Sequence, residues 1–527
     1  MLSALIFLPL VFALILVFIK NPSLCRKGAA FCSVAYFLFS LSLFLFFDSQ
    51  TEELQLGERF SWFPALGIEY FVAVDGLSFW FVILTAFLLP VCVGASWNLI
   101  KEKVSAFYCC LFLMITSVMG TFLAMDTILF YIFFESSLIP LYFIIGIWGS
   151  KERIYAAFKF FIYTAFGSLF LLAGLVALMH LTLQSTGEMS ASLLDFYKLE
   201  LPFEASLLST QNVLFFCFFL AFAIKLPFVP FHTWLPLAHV EAPAPGSAVL
   251  AAVILKMGAY GFLRFVLPLF PQSVEFFASS ICFLAGVGIF YGALMALAQK
   301  NIKKLVAYSS VSHMAYVLLG LFSLNEYGLT GGYYQMLTHA VSSAGLFLLV
   351  GILYERTQSL NISDYGGLAK KMPILAINFV IISLSAIALP STGGFISEFF
   401  VLMGSFTARN WGALFLALWG VIFGASYMLY LIHRVFFGSV SVLSQKTSLL
   451  SKREMGIILP FVFLVFGMGL FPKAFLKYST VSLNHLQESR ENYNLNIKTK
   501  NFRLGQKHFS LISDMSGTHN TRRQGGL

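Results

Sequence analysis

Charged residues are scarce in this chain. Asp, Glu, Lys and Arg make up 11% of its 527 residues, whereas a soluble domain carries about 25%, so it cannot dress an ordinary hydrated surface. Its seven cysteines, Cys25, Cys32, Cys92, Cys109, Cys110, Cys217 and Cys282, include no C-x-x-C spacing of the metal-binding kind. Most lie in apolar runs and read as small core hydrophobes, which argues against an iron–sulfur role. No nucleotide-binding loop, nucleophile triad or metal cluster stands out. Residues 1–19 lack a basic leader and a small-residue cleavage site, so they are expected to form a first membrane span rather than a removed signal. The net charge of +9 does not point to nucleic acid, because much of the excess sits in alternate loops and in the C-terminal tail.

What is abundant is apolar. The chain is 59% hydrophobic and 17% aromatic, with a mean hydropathy of +0.85. A bilayer-spanning helix needs roughly 20 mostly apolar residues, and such runs recur along most of the sequence. The chain is therefore read as an all-α polytopic membrane protein with about fourteen transmembrane helices. The second span is expected over 29–47, the seventh over 212–236, the twelfth over 373–404 and the fourteenth over 455–475. Pro227, Pro230 and Pro236 interrupt the seventh; Pro390, Ser391, Thr392, Gly393 and Gly394 interrupt the twelfth.

Each broken helix is the fourth member of a five-helix group. An odd number of helices would invert one group relative to the other, and paired interrupted helices at matching positions point to a transport site. The expected division is a three-helix segment 1–105, a first five-helix repeat 106–270, a second, inverted five-helix repeat 271–440, a C-terminal helix 441–480 and a polar basic tail 481–527. The tail lacks an apolar period and is expected to be extended or disordered, with no long lateral helix after residue 475.

Loop charge gives an orientation. Odd-numbered loops hold most of the bases, among them Lys20, Arg26, Lys27, Lys101, Lys103, Lys151, Arg153, Lys300, Lys303, Lys304, Lys370, Lys371, Lys452 and Arg453. Even-numbered loops carry acids such as Glu52, Glu53, Asp195 and Glu204. The positive-inside rule puts odd loops on the cytoplasmic or matrix side and both termini outside. The basic tail, with Lys498, Lys500, Arg503, Lys507, Arg522 and Arg523, runs against this orientation.

Within the apolar runs a few ionisable residues remain: Glu135 in the fifth span, Lys225 at the break of the seventh, Lys256 in the eighth, His313 and His339 in the tenth and eleventh, and Glu398 after the break of the twelfth. Each charge placed at a helix centre is penalised by about 2.5–3.5 kcal/mol on insertion scales. Glu135 and Lys225 could form a structural ion pair, and each histidine alone could be a satisfied core group. Six such groups in successive helices, however, have the chemistry of a proton relay, since burial shifts amines and carboxyls toward neutral pH. A broken helix also frees backbone polar groups, tolerable at depth only inside protein or beside a water-filled cavity.

The stretch Ala221-Phe222-Ala223-Ile224-Lys225-Leu226-Pro227, then His232-Thr233-Trp234-Leu235-Pro236 and Ala238-His239-Val240-Glu241-Ala242-Pro243, resembles the subunit 4 family (chain M in bacteria) of NADH:ubiquinone oxidoreductase, respiratory complex I. Further matches are Gly246-Ser247, the 255–261 and 307–314 segments, and Glu398-Phe399, so that the resemblance spans 70–440. It implies an antiporter-like fold with two inverted five-helix repeats and two broken helices. It also implies that Glu135 pairs with Lys225, that Lys256 links two half-channels through His313 and His339, and that Glu398 serves the outer one. The activity implied is proton translocation driven by quinone reduction elsewhere in the complex. No cofactor is expected in this chain; NADH, FMN, iron–sulfur clusters and ubiquinone belong to partner subunits. Expected partners are other membrane-arm subunits, especially neighbouring antiporter-like ones, and membrane lipids. Leu237, where a charged residue is common, and Pro245, where a small one is usual, depart from the family pattern. The 61 phenylalanines suit AT-rich organellar coding and a mitochondrial inner membrane, with a bacterial plasma membrane as the alternative. The rival readings are a stand-alone or Mrp-type cation/proton antiporter and an inert membrane scaffold.

Overall fold

In a computed structural model, residues 1–445 and 447–493 are described. Many helix starts are written locally. Asn21, ahead of Pro22, accepts from the N–H groups of Ser23 and Leu24; Asp126 accepts from Ile128 and Leu129; Asn301 from Lys303 and Lys304. Ser451 and Glu454 close a reciprocal capping box. The Asn21 and Ser451 caps start their helices ahead of the hydropathic limits. The second helix begins at Pro22 rather than 29, so Arg26 and Lys27 lie in helical turns and not in a loop. The last span, Lys452–Leu470, ends earlier than expected, at Phe471-Pro472.

Eleven described helices are long and apolar enough to cross a membrane. Leu2–Val17, Thr210–Lys225, Pro373–Ala386 and Gly393–Thr407 are shorter apolar helices; they are the first span and pieces of the two broken ones. The most enclosed spans are Ala244–Leu269, Ile302–Phe322 and Glu326–Thr357, which carry Lys256, His313 and His339. Pro22–Phe46 and Trp411–Phe436 are among the least buried spans and lie at the periphery.

Two elements depart from the sequence reading. Gln55–Phe63 and Ile68–Val74 form an antiparallel hairpin closed by Gly67 in the left-handed region, a small β element in the otherwise helical fold. Residues 480–493 are helical, which corrects the expectation of an extended tail over that stretch; 494–527 lie outside the described residues.

The connections sort onto two faces. One cavity of about 330 Å³ is lined by Leu99, Ser150, Glu241, Lys303 and Tyr354, residues next to odd-numbered connections. On the other face, a cavity of about 740 Å³ gathers Glu52, Asp75, Met125, Tyr197, Pro271 and His485, from even-numbered connections and the 480–493 helix. Met1 joins this second face through its ammonium, 2.6 Å from Glu58 of the hairpin.

Candidate functional site

Both expected helix breaks are present, and each leaves polar groups at depth. Thr210–Lys225 ends at Lys225, and the chain resumes as Trp234–Glu241. The Trp234 indole N–H reaches back across the gap to the Ile224 carbonyl at 3.0 Å, satisfying a group the break sets free. In the other interruption, Pro373–Ala386 stops and Gly393–Thr407 begins after a short non-helical stretch. Glycine is required there. A Cβ at Gly394 would fall 2.1 Å from the Ser385 carbonyl, and one at Gly393 2.8 Å from the Thr338 side chain.

The Ala244–Leu269 helix contains two π-helical turns, Leu250–Ile254 and Phe262–Val266, on either side of Lys256. Such turns displace carbonyls from the regular ladder. Lys256 Nζ donates 2.7 Å to the Ala251 carbonyl and lies 2.6 Å from His339 Nδ1. The His339 ring is 5.5 Å, centroid to centroid, from that of His313. His313 Nδ1 in turn lies 3.1 Å from Glu398 Oε1. Four of the six expected residues, on four different helices, thus form one buried string: Lys256, His339, His313, Glu398.

The remaining two are adjacent but not bonded. Lys225 is buried, donates 3.3 Å to Ser137 Oγ and sits 4.5 Å over the Phe134 ring. It is not within the 4.0 Å of a Glu135 carboxylate oxygen that an ion pair requires, and Glu135 Oε1 is a buried acceptor without a hydrogen-bond partner. The two groups still interact electrostatically through the intervening space. The seventh helix touches the eighth directly. A Cβ at Gly258 would lie 2.8 Å from the Phe222 carbonyl and 3.1 Å from Lys225 Cβ, so glycine lets the Lys225 end approach the Lys256 turn.

Several polar groups around this string were absent from the expected set. Gln335 Nε2 lies 3.4 Å from the same His313 Nδ1 that faces Glu398. Gln335 Oε1 accepts from Ser397, and Thr338 Oγ1 is 3.0 Å from Ser397 Oγ. His239 is buried, stacked on Phe347 at 4.3 Å with both ring nitrogens unpartnered. Both His239 and His232 stand in the motif that carried the resemblance, and that was the only sequence signal for them. Lys303, expected in a loop, is buried in the first turn of Ile302–Phe322 and donates to the Ala242 carbonyl. Arg264 pairs with Asp75 at 2.6 Å inside the protein. Of the two departures from the family pattern, Pro245 occupies the first turn of its helix, where a missing N–H breaks no intrahelical bond. Leu237 packs at the edge of the core.

Among the described residues no group of three or more His, Cys, Asp or Glu side chains is arranged to hold a metal ion. Cys25, Cys92 and Cys282 are buried, and the other four are partly so.

The family described as NADH:quinone oxidoreductase/Mrp antiporter, TM matches residues 124–424, and the NADH-ubiquinone oxidoreductase chain 4 amino terminus matches 1–126. NADH-quinone oxidoreductase subunit M of Rhodobacter capsulatus is 43% identical over 512 residues, covering 95% of this chain and 98% of that one. NADH-ubiquinone oxidoreductase chain 4 of Arabidopsis thaliana is 42% identical over 493 residues, covering 92% and 96%. Among solved structures, a chain of respiratory complex I from Thermus thermophilus superposes with a TM-score of 0.83 at 32% identity, covering 93% of this chain and all of its own length. A chain of the Mrp complex from Dietzia sp. matches with a TM-score of 0.80 at 19% identity, a likeness of fold alone. Matched along nearly its whole length by relatives that are themselves matched almost end to end, this chain belongs to the NADH-quinone oxidoreductase subunit M/chain 4 family.

Proposed function

We propose that this chain is a proton-translocating membrane-arm subunit of NADH:ubiquinone oxidoreductase, carrying protons along Glu135, Lys225, Lys256, His339, His313 and Glu398. The observation that carries the reading is the continuous contact of Lys256 with His339, His339 with His313, and His313 with Glu398, buried within the most enclosed helices. In hydrocarbon such groups are retained where they relay protons or line a pathway.

The His313 geometry suits a two-state element. With a proton on Nδ1 the ring donates to Glu398; without one, Nδ1 accepts from the Gln335 amide. One ring nitrogen thus has a partner in either state. At the other end, the separation of Glu135 from Lys225 leaves Lys225 free to swing between its carboxylate neighbour and the Lys256 side, where Gly258 brings the backbones together. The five-helix repeats 106–270 and 271–440 would each contribute one broken helix and one buried lysine or glutamate beside it. Redox cofactors, NADH and ubiquinone would sit in partner subunits, and the energy of quinone reduction would reach this relay through neighbouring antiporter-like chains. The membrane would be the mitochondrial inner membrane or a bacterial plasma membrane, since relatives of both origins match.

The test is purification of the native assembly and reconstitution into sealed vesicles. The chain should co-purify with NADH:quinone reductase activity, and Lys256→Ala in a fully assembled complex should lose proton uptake. Isolation as a cation/proton antiporter without that reductase would support the Mrp-type reading instead. Normal pumping by Lys256→Ala would remove that residue from the relay.

A further inference from the structure

A cavity of about 290 Å³ lies at the inner end of a seam between three helices, Pro22–Ser40, Phe79–Ser96 and Lys452–Leu470. Its walls include Ala30, Val34, Pro90, Gly94 and Arg453. It faces the bilayer side of the protein, where Phe31, Val34 and Leu38 are strongly exposed. One guanidinium, Arg453, lines it, and a second, Arg26, stands one turn before the wall residue Ala30 on Pro22–Ser40. Arg453 Nε and Arg26 Nε are both buried and without a hydrogen-bond partner, and neither arginine is in an ion pair among the described residues. Arg26 gives one bond, 2.9 Å to the Ile100 carbonyl. The adjacent acid, Glu454, is committed to Arg356 at 2.8 and 2.9 Å and to its own helix cap. Arg26, on the same helix face as Ala30, thus bonds a carbonyl three residues past Trp97 of the wall that Arg453 also lines.

The seam does not end there. A second cavity of about 490 Å³, lined by Phe37, Leu84, Phe87, Pro460 and Phe463 among other apolar residues, continues along the same three helices. Phe463 is ten residues beyond Arg453, about 15 Å along a helix, and half the hydrocarbon thickness is also about 15 Å. A chain anchored at the arginines would therefore run through the first cavity and end in the second. Guanidinium groups bind phosphate oxygens in a planar fork, and a buried unpaired one gains most from doing so.

We propose that this seam binds one anionic phospholipid of the inner leaflet, its phosphate held by Arg26 and Arg453 and one acyl chain laid between Val34, Pro90 and Phe463. The occupant is a lipid and not a free anion, because the pocket behind the arginines is apolar for the full depth of a leaflet.

The test uses the intact complex in phosphatidylcholine vesicles doped with photoactivatable-acyl phosphatidylglycerol or, separately, photoactivatable-acyl phosphatidylcholine, with cross-links mapped by mass spectrometry. Labelling of the peptides holding Val34, Pro90 and Phe463 should favour phosphatidylglycerol. The Arg26→Gln/Arg453→Gln variant should lose that preference by about fivefold for each arginine removed. Val34→Trp, which fills the cavity and leaves both charges, should lose the label from either lipid. Equal labelling by the two lipids, an unchanged preference in the double variant, competition by inorganic phosphate, or an unlabelled seam covered by a neighbouring subunit would each overturn the proposal.

Discussion

Lys256 Nζ and His339 Nδ1 lie 2.6 Å apart, although they are separated by 83 residues of sequence. At that distance the two nitrogens share a single proton: one must donate and the other accept. A charged Lys256 therefore holds His339 with Nδ1 unprotonated, and a proton arriving on Nδ1 requires Lys256 to have released one. The pair is suited to pass a proton onward rather than to store two.

Replacing Lys225 by Ala should leave the complex assembled while quinone reductase activity and pumping fall together, by about a hundredfold, the lower end of the usual effect of a lost proton-transfer group. Lys225 contacts Ser137 and the Phe134 ring and is not directly paired to Glu135, so its removal breaks no bonded ion pair. Lys225→Arg should rescue poorly, because a guanidinium does not release its proton. Reductase turnover and proton uptake of reconstituted complex are the readouts, and undiminished pumping by Lys225→Ala would return this residue to a packing role.

Glu398→Gln keeps a carboxamide near His313 Nδ1 but cannot take up a proton, whereas Glu398→Asp can. Turnover should rank wild type, then Asp, then Gln. Equal activity of the Gln variant and wild type would place the exit elsewhere.

The Asp75–Arg264 bridge joins the end of the hairpin to the Ala244–Leu269 helix, with Tyr260 as a second partner of the guanidinium at 3.0 Å. Asp75→Asn strands a buried cation and should destabilise the subunit by about 3–5 kcal/mol. Asp75→Leu with Arg264→Met removes both charges and should be much closer to wild type. Retention of the chain during thermal challenge of the complex measures this; similar losses in the single and double variants would refute it.

Met1, the hairpin, the even-numbered connections and the 480–493 helix share one face. With the basic odd-numbered connections inside, a single cysteine introduced near residue 490 in a variant lacking the seven natural cysteines should react with an impermeant thiol reagent from the intermembrane or periplasmic side. Reaction only from the matrix or cytoplasmic side would invert the orientation.

Much of this protein is legible from local composition. Spans are long apolar runs, caps are Asn, Asp and Ser at their starts, and the breaks are marked by Pro and Gly, because each of these is a property of a few consecutive residues. The six relay candidates stand out for a similar reason: a charge in hydrocarbon is conspicuous without knowledge of its neighbours. The hairpin was hidden between two stronger signals, as its strands mix exposed aromatics with polar residues and show no clean alternation on the outer strand. The helical 480–493 stretch was hidden too, since it is mostly polar with only Val481, Leu483 and Leu486 aliphatic, and the structure anchors it by contact, with Leu483 buried and Arg490 Nη2 donating 2.6 Å to the Leu324 carbonyl.

What the sequence by itself determined is where the apolar spans run, which conspicuous ionisable residues lie inside them and where the helices break. Only the tertiary structure decided which of those residues meet. Lys256 bonds His339 and not Glu135, His313 faces both Glu398 and Gln335, and Lys225 stands apart from Glu135. Those partnerships depend on how closely helices far apart in sequence approach and how each is rotated. That is set by small residues such as Gly258 and Gly393 at crossing points and by the π-helical turns that redirect Lys256, features whose effect exists only once the helices are packed.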